Sequence, residues 1–163
     1  FDSEPRDLPA RLAAVTRMVF PSEKDRTDGE LAVDEALARG ATALTLVGAF
    51  GGPRADHAFL HLTMALQLAE RGVPALLTSG DQEGIPLLPG TVEFDYAGGT
   101  VFSILAFSHL SGLTLTGAKW PLHSVDVPFG SSLTLSNEVA DRLGVILGGG
   151  RAMLLAHPAG EGR

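Results

Sequence analysis

The sequence contains no cysteine, which excludes disulfide scaffolds, thiolate zinc sites and cysteine nucleophiles together. No apolar run reaches the roughly 18–20 residues that a bilayer-spanning helix needs, so no membrane segment is expected. Bases are scarce: 12 Lys and Arg against 19 Asp and Glu leave a formal net charge of −7. They are also scattered (Arg6, Arg11, Arg17, Lys24, Arg26, Arg39). No basic stripe offsets the repulsion of a phosphate backbone, so nucleic acid is not an expected partner. The chain opens Phe1-Asp2-Ser3-Glu4-Pro5-Arg6, without a basic region followed by an apolar stretch, and no signal peptide is read there. It also opens without Met, and the expectation is that the first residues of the natural protein precede it. A cysteine-free composition suits a reducing, cytoplasmic setting.

What is present is globular. Hydrophobic residues make up 45% and charged residues 19% of the 163, far from a disorder signature and enough for one domain or two small ones. From about Leu8 to Ser79, strand-like apolar runs (Thr16–Phe20, Thr42–Ala49, Val73–Ser79) alternate with helical periodicity. The helical stretches are Asp28–Arg39, stopped by Gly40, and Asp56–Arg71, stopped by Gly72. Strand–helix alternation with short connections predicts a parallel sheet covered by helices.

After Thr91 the helical period disappears. Short runs at Thr91–Tyr96, Val101–Phe107, Leu113–Leu115, Val125–Val127, Ser132–Leu135, Gly144–Leu147 and Ala152–Ala156 predict antiparallel strands, with Gly148-Gly149-Gly150 as a hairpin turn. The boundary is expected within Gly80–Gly90. The expectation is therefore α/β plus all-β: a parallel-sheet three-layer α/β/α (Rossmann-like) domain over residues 1–82, then an antiparallel β-sandwich over residues 83–163.

Two loops carry candidate chemistry. Thr27 and Glu30 have capping-box spacing, which makes Asp28 the first helical residue and leaves Asp25 in the loop before it. Acids there complement a helix dipole. At the carboxyl end of a parallel strand they also suit Mg²⁺, which takes few protein oxygens. The second loop, Gly48-Ala49-Phe50-Gly51-Gly52-Pro53-Arg54-Ala55-Asp56-His57, is neither a Walker A loop nor a dinucleotide fingerprint. Its glycines either make the turn or let backbone amides approach a phosphate, with Arg54 as a fork of donors. Arg54 and Asp56 are equally read as a loop pair. His57 and His61 have zinc spacing, but no third ligand accompanies them, and His61 is read as a packed or surface histidine. No Gly-x-Ser-x-Gly elbow supports a serine hydrolase. In the second half, Gly117-Ala118-Lys119-Trp120-Pro121-Leu122 and Ser136-Asn137-Glu138 stand apart from their alternating surroundings. The single Trp120 is read as core or edge packing and Ser136-Asn137 as turn chemistry.

In order and combination these segments resemble the thiamine pyrophosphokinase family. Phe1-Asp2-Ser3 looks like the tail of its Gly-Asp-Phe-Asp-Ser motif. Glu23-Lys24-Asp25-Arg26-Thr27-Asp28-Gly29-Glu30 is similar to its Asp-x-Thr-Asp segment, and Gly51-Gly52 with Arg54-Ala55-Asp56-His57 to its Gly-Gly-Arg-x-Asp-His segment. Leu113–Leu122 and Phe129–Glu138 resemble its C-terminal pair. The match departs at Pro53, an extra residue before Arg54, and at His61, where the family commonly carries Asn.

The resemblance implies an ATP-binding α/β domain followed by a β-sandwich, in a homodimer that holds thiamine at the subunit interface. It implies Mg²⁺-dependent pyrophosphoryl transfer from ATP to the thiamine hydroxyl. Asp2, Asp25 and Asp28 are then the catalytic and metal-binding candidates. Lys24, Thr27, Gly51, Gly52, Arg54 and Asp56 fall on the ATP side, and Ser136 and Asn137 on the thiamine side. The rival readings are another ATP-dependent pyrophosphokinase, a sensing module that binds without turnover, and a purely structural pair of domains.

Overall fold

A computed structural model describes residues 25–50 and 52–158. The chain divides into two compact units, residues 1–41 and 42–163. In the first unit, helix α1 (Asp28–Ala38) opens on the capping box expected from sequence. It closes where Gly40, at φ 90°, turns the chain so that Gly40 N donates to Leu37 O and Ala41 N to Ala36 O.

The second unit is one nine-stranded sheet with a single helix. Strand β1 (Leu44–Val47) pairs in parallel with β2 (Ala75–Thr78), and α2 (Ala55–Glu70) crosses between them. Beyond β2 every pairing is antiparallel. β3 (Glu83–Leu87) follows β2 through a short turn and pairs on its other side with β9 (Ala152–His157), which pairs with β5 (Val101–Ala106). The long β8 (Asn137–Leu147) then links two parts of the sheet. Its first two residues pair with β5, Val139 pairs with β6 (Leu110–Ala118), and its last part lies between β4 (Gly90–Phe94) and β6, with β7 (Leu122–Val127) outside β6.

The expected three-layer α/β/α Rossmann-like domain is not what the described residues form. Among the described residues there are two helices, one in each unit, and the sheet of the second unit is mixed and largely antiparallel with one parallel pair. The physical reason lies in Glu83–Leu87, which sequence reading assigned to the boundary because Gly84 and Pro86 interrupt it. Pairing with β2 ends at Gly84, so Pro86 stands where β3 is locally an edge and lacks no ladder partner on that side. The strand that extends the sheet past β2 is thus antiparallel. Thr16–Phe20, the first expected strand, lies outside the described residues.

Two further expectations are corrected. Gly148–Gly150 does not close a hairpin, since β8 and β9 are not paired and β9 inserts between β3 and β5. The glycines are needed because the chain passes hard against the start of β6: a Cβ on Gly150 would lie 2.3 Å from His109 O, and one on Gly148 2.9 Å from Ser111 O. Ser132–Leu135 is a turn closed by Leu135 N donating to Ser132 O, not a strand.

Strand alternation gives the sheet two apolar faces. Ala152, Leu154 and Ala156 of β9 join Phe102, Ile104, Leu113, Leu115, Leu143 and Val145 in the main core. Met153 and Leu155 point to the other face, where Leu77 and the buried Met64, Ala65, Leu66 and Leu68 of α2 belong. Among the described residues, no helix is long and apolar enough to cross a membrane.

Candidate functional site

At the start of α1 the capping box accounts for Thr27 and Glu30. Glu30 N donates to Thr27 Oγ1 at 3.3 Å, while Thr27 N and Oγ1 donate to Glu30 Oε2 at 2.8 and 2.9 Å. The Thr27 backbone amide, then its hydroxyl, hold the Glu30 carboxyl below its ordinary range. Arg26 is engaged by Asp34. Asp25 stays in the exposed loop and Asp28 is the first, partly exposed helical residue, as read from sequence. Asp2 and Lys24 lie outside the described residues. Among the described residues, no three acids or histidines gather into a metal site.

The glycine loop leaves the carboxyl end of β1. Gly48, at φ 77°, takes a conformation that disfavours any other residue. Its N–H and that of Ala49 both donate to Thr78 O, at 2.7 and 3.2 Å, so the end of β2 holds the loop's first turn. Nothing lies within 4 Å of a Cβ placed on Gly52, so its backbone faces open space; Gly51 is outside the described residues. Arg54 occupies the N-cap position of α2 without a side-chain cap. Its Nε and Nη2 donate to Asp56 Oδ1 and Oδ2 at 2.9 and 2.6 Å. This bidentate grip, with Arg54 64% and Asp56 63% exposed, pulls the Asp56 carboxyl down to about 2. Arg54 and Asp56 thus form the loop pair that was one of the sequence alternatives. Two of the five guanidinium N–H groups are engaged by that pair. One turn along, His61 Nδ1 lies 3.1 Å from Ala49 O. A carbonyl only accepts, so Nδ1 carries the proton in this contact.

The second segment pair meets at one corner of the sheet. Asn137, 5% exposed, begins β8 beside the β6–β7 connection. Its Nδ2 donates to Trp120 O at 2.8 Å, and its Oδ1 accepts from Trp120 N at 3.2 Å and from Glu138 N at 2.8 Å. A buried carboxamide thus holds both backbone groups of Trp120. The indole itself remains 56% exposed, with the Lys119 ammonium 5.1 Å from its centroid. Lys119 is anchored in turn to Glu138, Nζ to Oε2, at 3.0 Å. Ser136, at φ 55°, is left-handed although it is not glycine, and its N–H donates to Ser103 Oγ at 3.0 Å. Such a conformation costs about 1 kcal/mol and persists only where surrounding contacts impose it.

The structure therefore joins Arg54 to Asp56 and Asn137 to Trp120. Sequence reading gave Trp120 core or edge packing, and its exposure excludes the core. The signal was present, since Lys119-Trp120-Pro121 breaks the strand alternation on either side.

Residues 91–146 match the family described as "Thiamin pyrophosphokinase, vitamin B1 binding domain". The chain is 31% identical over 129 residues to a thiamine pyrophosphokinase of Bacillus subtilis, an alignment covering 78% of this chain and 60% of that protein. Among solved structures it resembles the thiamin pyrophosphokinase of Geobacillus thermodenitrificans, with 32% identity, TM-score 0.72, and coverage of 87% of this chain and 66% of that one. It also resembles the thiamine pyrophosphokinase of Bacillus subtilis, with 27% identity, TM-score 0.77, and coverage of 83% and 65%. The chain spans about three-fifths of the curated relative it matches.

Proposed function

We propose that this chain, which belongs to the thiamine pyrophosphokinase family, acts as a thiamine diphosphokinase that transfers a pyrophosphoryl group from ATP to the hydroxyl of thiamine. The observation that carries this reading is the indole of Trp120. It is more than half exposed, yet its backbone is fixed on both sides by buried Asn137, inside the segment matched to the vitamin-binding family. An exposed indole held this firmly offers a flat, electron-rich surface, and thiamine carries two flat heteroaromatic rings, one of them cationic, of the kind such surfaces bind. Lys119 takes one face of the ring, so a stacked ligand takes the other. Asn137 acts here as a positioning residue through Trp120, and Ser136 offers its hydroxyl beside them.

On the ATP side, Arg54 keeps guanidinium N–H groups beyond those engaged by Asp56. With Lys24 and the amides of Gly51 and Gly52 it would hold phosphate oxygens. The thiamine hydroxyl oxygen attacks the β-phosphorus. The bond from that phosphorus to the oxygen bridging the α-phosphate breaks, and AMP leaves with that oxygen. The hydroxyl proton passes to a carboxylate among Asp2, Asp25 and Asp28. These residues supply hard oxygen donors, the chemistry that fits Mg²⁺. When bound, the ion would neutralise phosphate charge. Thr27 supports the position of this acidic turn. Assembly as a homodimer with thiamine at the subunit interface, and a cytoplasmic location, belong to the same reading.

The test is AMP formation by the full-length protein from ATP and Mg²⁺, with and without thiamine. Thiamine-dependent AMP with thiamine diphosphate as coproduct is expected. Thiamine binding without AMP would overturn the reading in favour of a sensing module.

A further inference from the structure

The glycine loop has a second anchor that neither the sequence motifs nor the proposed chemistry uses. Leu77 of β2, Gly84 of β3 and Leu155 of β9 are register partners in one row across the sheet, with their side chains on one face. Gly84 is buried and interrupts that row of leucines. A Cβ built on it would stand 2.8 Å from Phe50 Cζ, 3.2 Å from Leu77 Cδ1 and 3.3 Å from Leu155 Cδ2. The ring of Phe50 therefore sits in the notch that the missing side chain leaves. Gly84 has no left-handed φ, so backbone freedom does not explain the glycine; the close approach of the ring does.

Phe50 lies between Ala49, whose N–H is taken by Thr78 O and whose carbonyl faces His61 Nδ1, and the residues that lead to Arg54. The loop is thus held by backbone bonds to β2, by a histidine of α2, and by an aromatic ring in a slot of β3. We propose that the Phe50 ring, seated on Gly84, is a latch that holds the start of the glycine loop at Ala49 and Phe50 and so positions the Gly52 amide and Arg54 for the nucleotide. Phe50 and Gly84 are positioning residues, and this role rests on the ATP-side assignment made above.

Gly84→Ala is the informative variant. The nearest obstacle to its methyl group is the far end of the Phe50 side chain, so the ring is displaced while the strand stays paired. In the intact protein, amide exchange at Gly48 and Ala49, whose N–H groups donate to Thr78 O, should quicken by on the order of tenfold, with core strands unchanged. The KM for ATP should rise by on the order of tenfold, while kcat and the thiamine KM stay within about twofold. Phe50→Ala should reproduce both effects, and Phe50→Leu should recover part of the exchange protection. Because Gly84 acts through Phe50, Gly84→Ala should add nothing in a Phe50→Ala background. Unchanged exchange in Gly84→Ala, or effects of the two variants that multiply, would overturn the latch. An equal rise in both KM values would overturn its positioning role and leave a merely structural contact. If exchange quickens but the parent protein binds no ATP, the positioning role falls together with the ATP-side assignment. The latch on the loop then stands alone.

Discussion

The two helices begin from similar sequence patterns and end alike, yet they are held by different physics. Each finishes in the same turn: Gly40 and Gly72 are left-handed, and the following residue donates back to the helix, Ala41 to Ala36 O and Val73 to Leu68 O. Their faces differ. None of the α1 residues is buried, whereas α2 buries Met64, Ala65, Leu66 and Leu68. Their starts differ in the opposite sense. α1 has a complete capping box and two acids in its first turn, while α2 starts on Arg54 with no side-chain cap. α1 takes its stability from local contacts and α2 from packing on the sheet. Of the candidate metal ligands, Asp28 stands on the helix that has no buried residue.

That contrast is most sharply broken by deleting a side chain from each helix. Leu68 is 1% exposed, and Leu68→Ala should cost about 3 kcal/mol, as a cavity in a packed interior does. Leu31→Ala, on the partly exposed face of α1, should cost less than about 1 kcal/mol. Denaturant unfolding of the two variants measures both. Equal losses would mean that α1 is packed as firmly as α2.

The next largest effect is on turnover. Asp28→Ala should lower kcat on the order of a hundredfold, equivalent to about 2.7 kcal/mol of transition-state stabilisation. The melting temperature should fall by no more than a few degrees, since an acid in the first turn contributes about 0.3–1 kcal/mol to its helix. Near-normal thiamine-dependent AMP formation would sink the metal assignment.

How much of this was legible in the sequence follows the same division. Local determinants read well. Thr27 and Glu30 announced the start of α1, Gly40 and Gly72 the two stops, and the parallel β1–β2 pair followed from strand–helix–strand order. What depends on distant partners did not. β3 was hidden by Gly84 and Pro86, whose tolerance depends on the Phe50 ring and on where β2 stops pairing. The glycines after β8 looked like a turn because nothing in the sequence shows that Ser111 and His109 crowd them. For the candidate site, the Arg54–Asp56 pair was one of two stated alternatives. For Trp120 the sequence left core and edge packing open, because burial is a property of the corner that Asn137 builds, not of the residue type. The placement of Asp2, Lys24 and Gly51 lies outside the described residues.

A smaller effect separates the two helix starts directly. Thr27→Ala removes the acceptor for Glu30 N and one donor to the Glu30 carboxylate, and should cost about 1 kcal/mol. Since α1 lacks buried residues, the loss should appear as fraying, with faster amide exchange in its first turn. Arg54→Ala at the equivalent position of α2 should leave that helix's exchange nearly unchanged, because packing of Leu68 and its neighbours holds it. Fraying of both helices to the same degree would contradict the division drawn between them.

The smallest effect concerns pH and salt at the same two positions. Asp56 is held near 2 chiefly by hydrogen bonds from the Arg54 guanidinium, and Glu30 is lowered chiefly by the Thr27 backbone amide. Both are depressed carboxylates, so each contributes stability that is fully present above its unfolded pKa, about 4. That contribution is lost as pH falls through the folded value. For Asp56 the window therefore runs from about 4 down to about 2. Both members of its pair are mostly exposed, so solvent and salt screen it. Glu30 is bound by neutral donors, which added ions do not screen. A carboxyl-detected NMR titration should place the Asp56 midpoint near 2. Arg54→Ala should return it toward the ordinary carboxylate range, and on the order of 1 M salt should raise it more than it raises Glu30. If salt moves the two midpoints equally, the start of α2 is not secured by charge. If Arg54→Ala leaves the Asp56 midpoint where it is, Asp56 does not orient the arginine proposed to meet the phosphates.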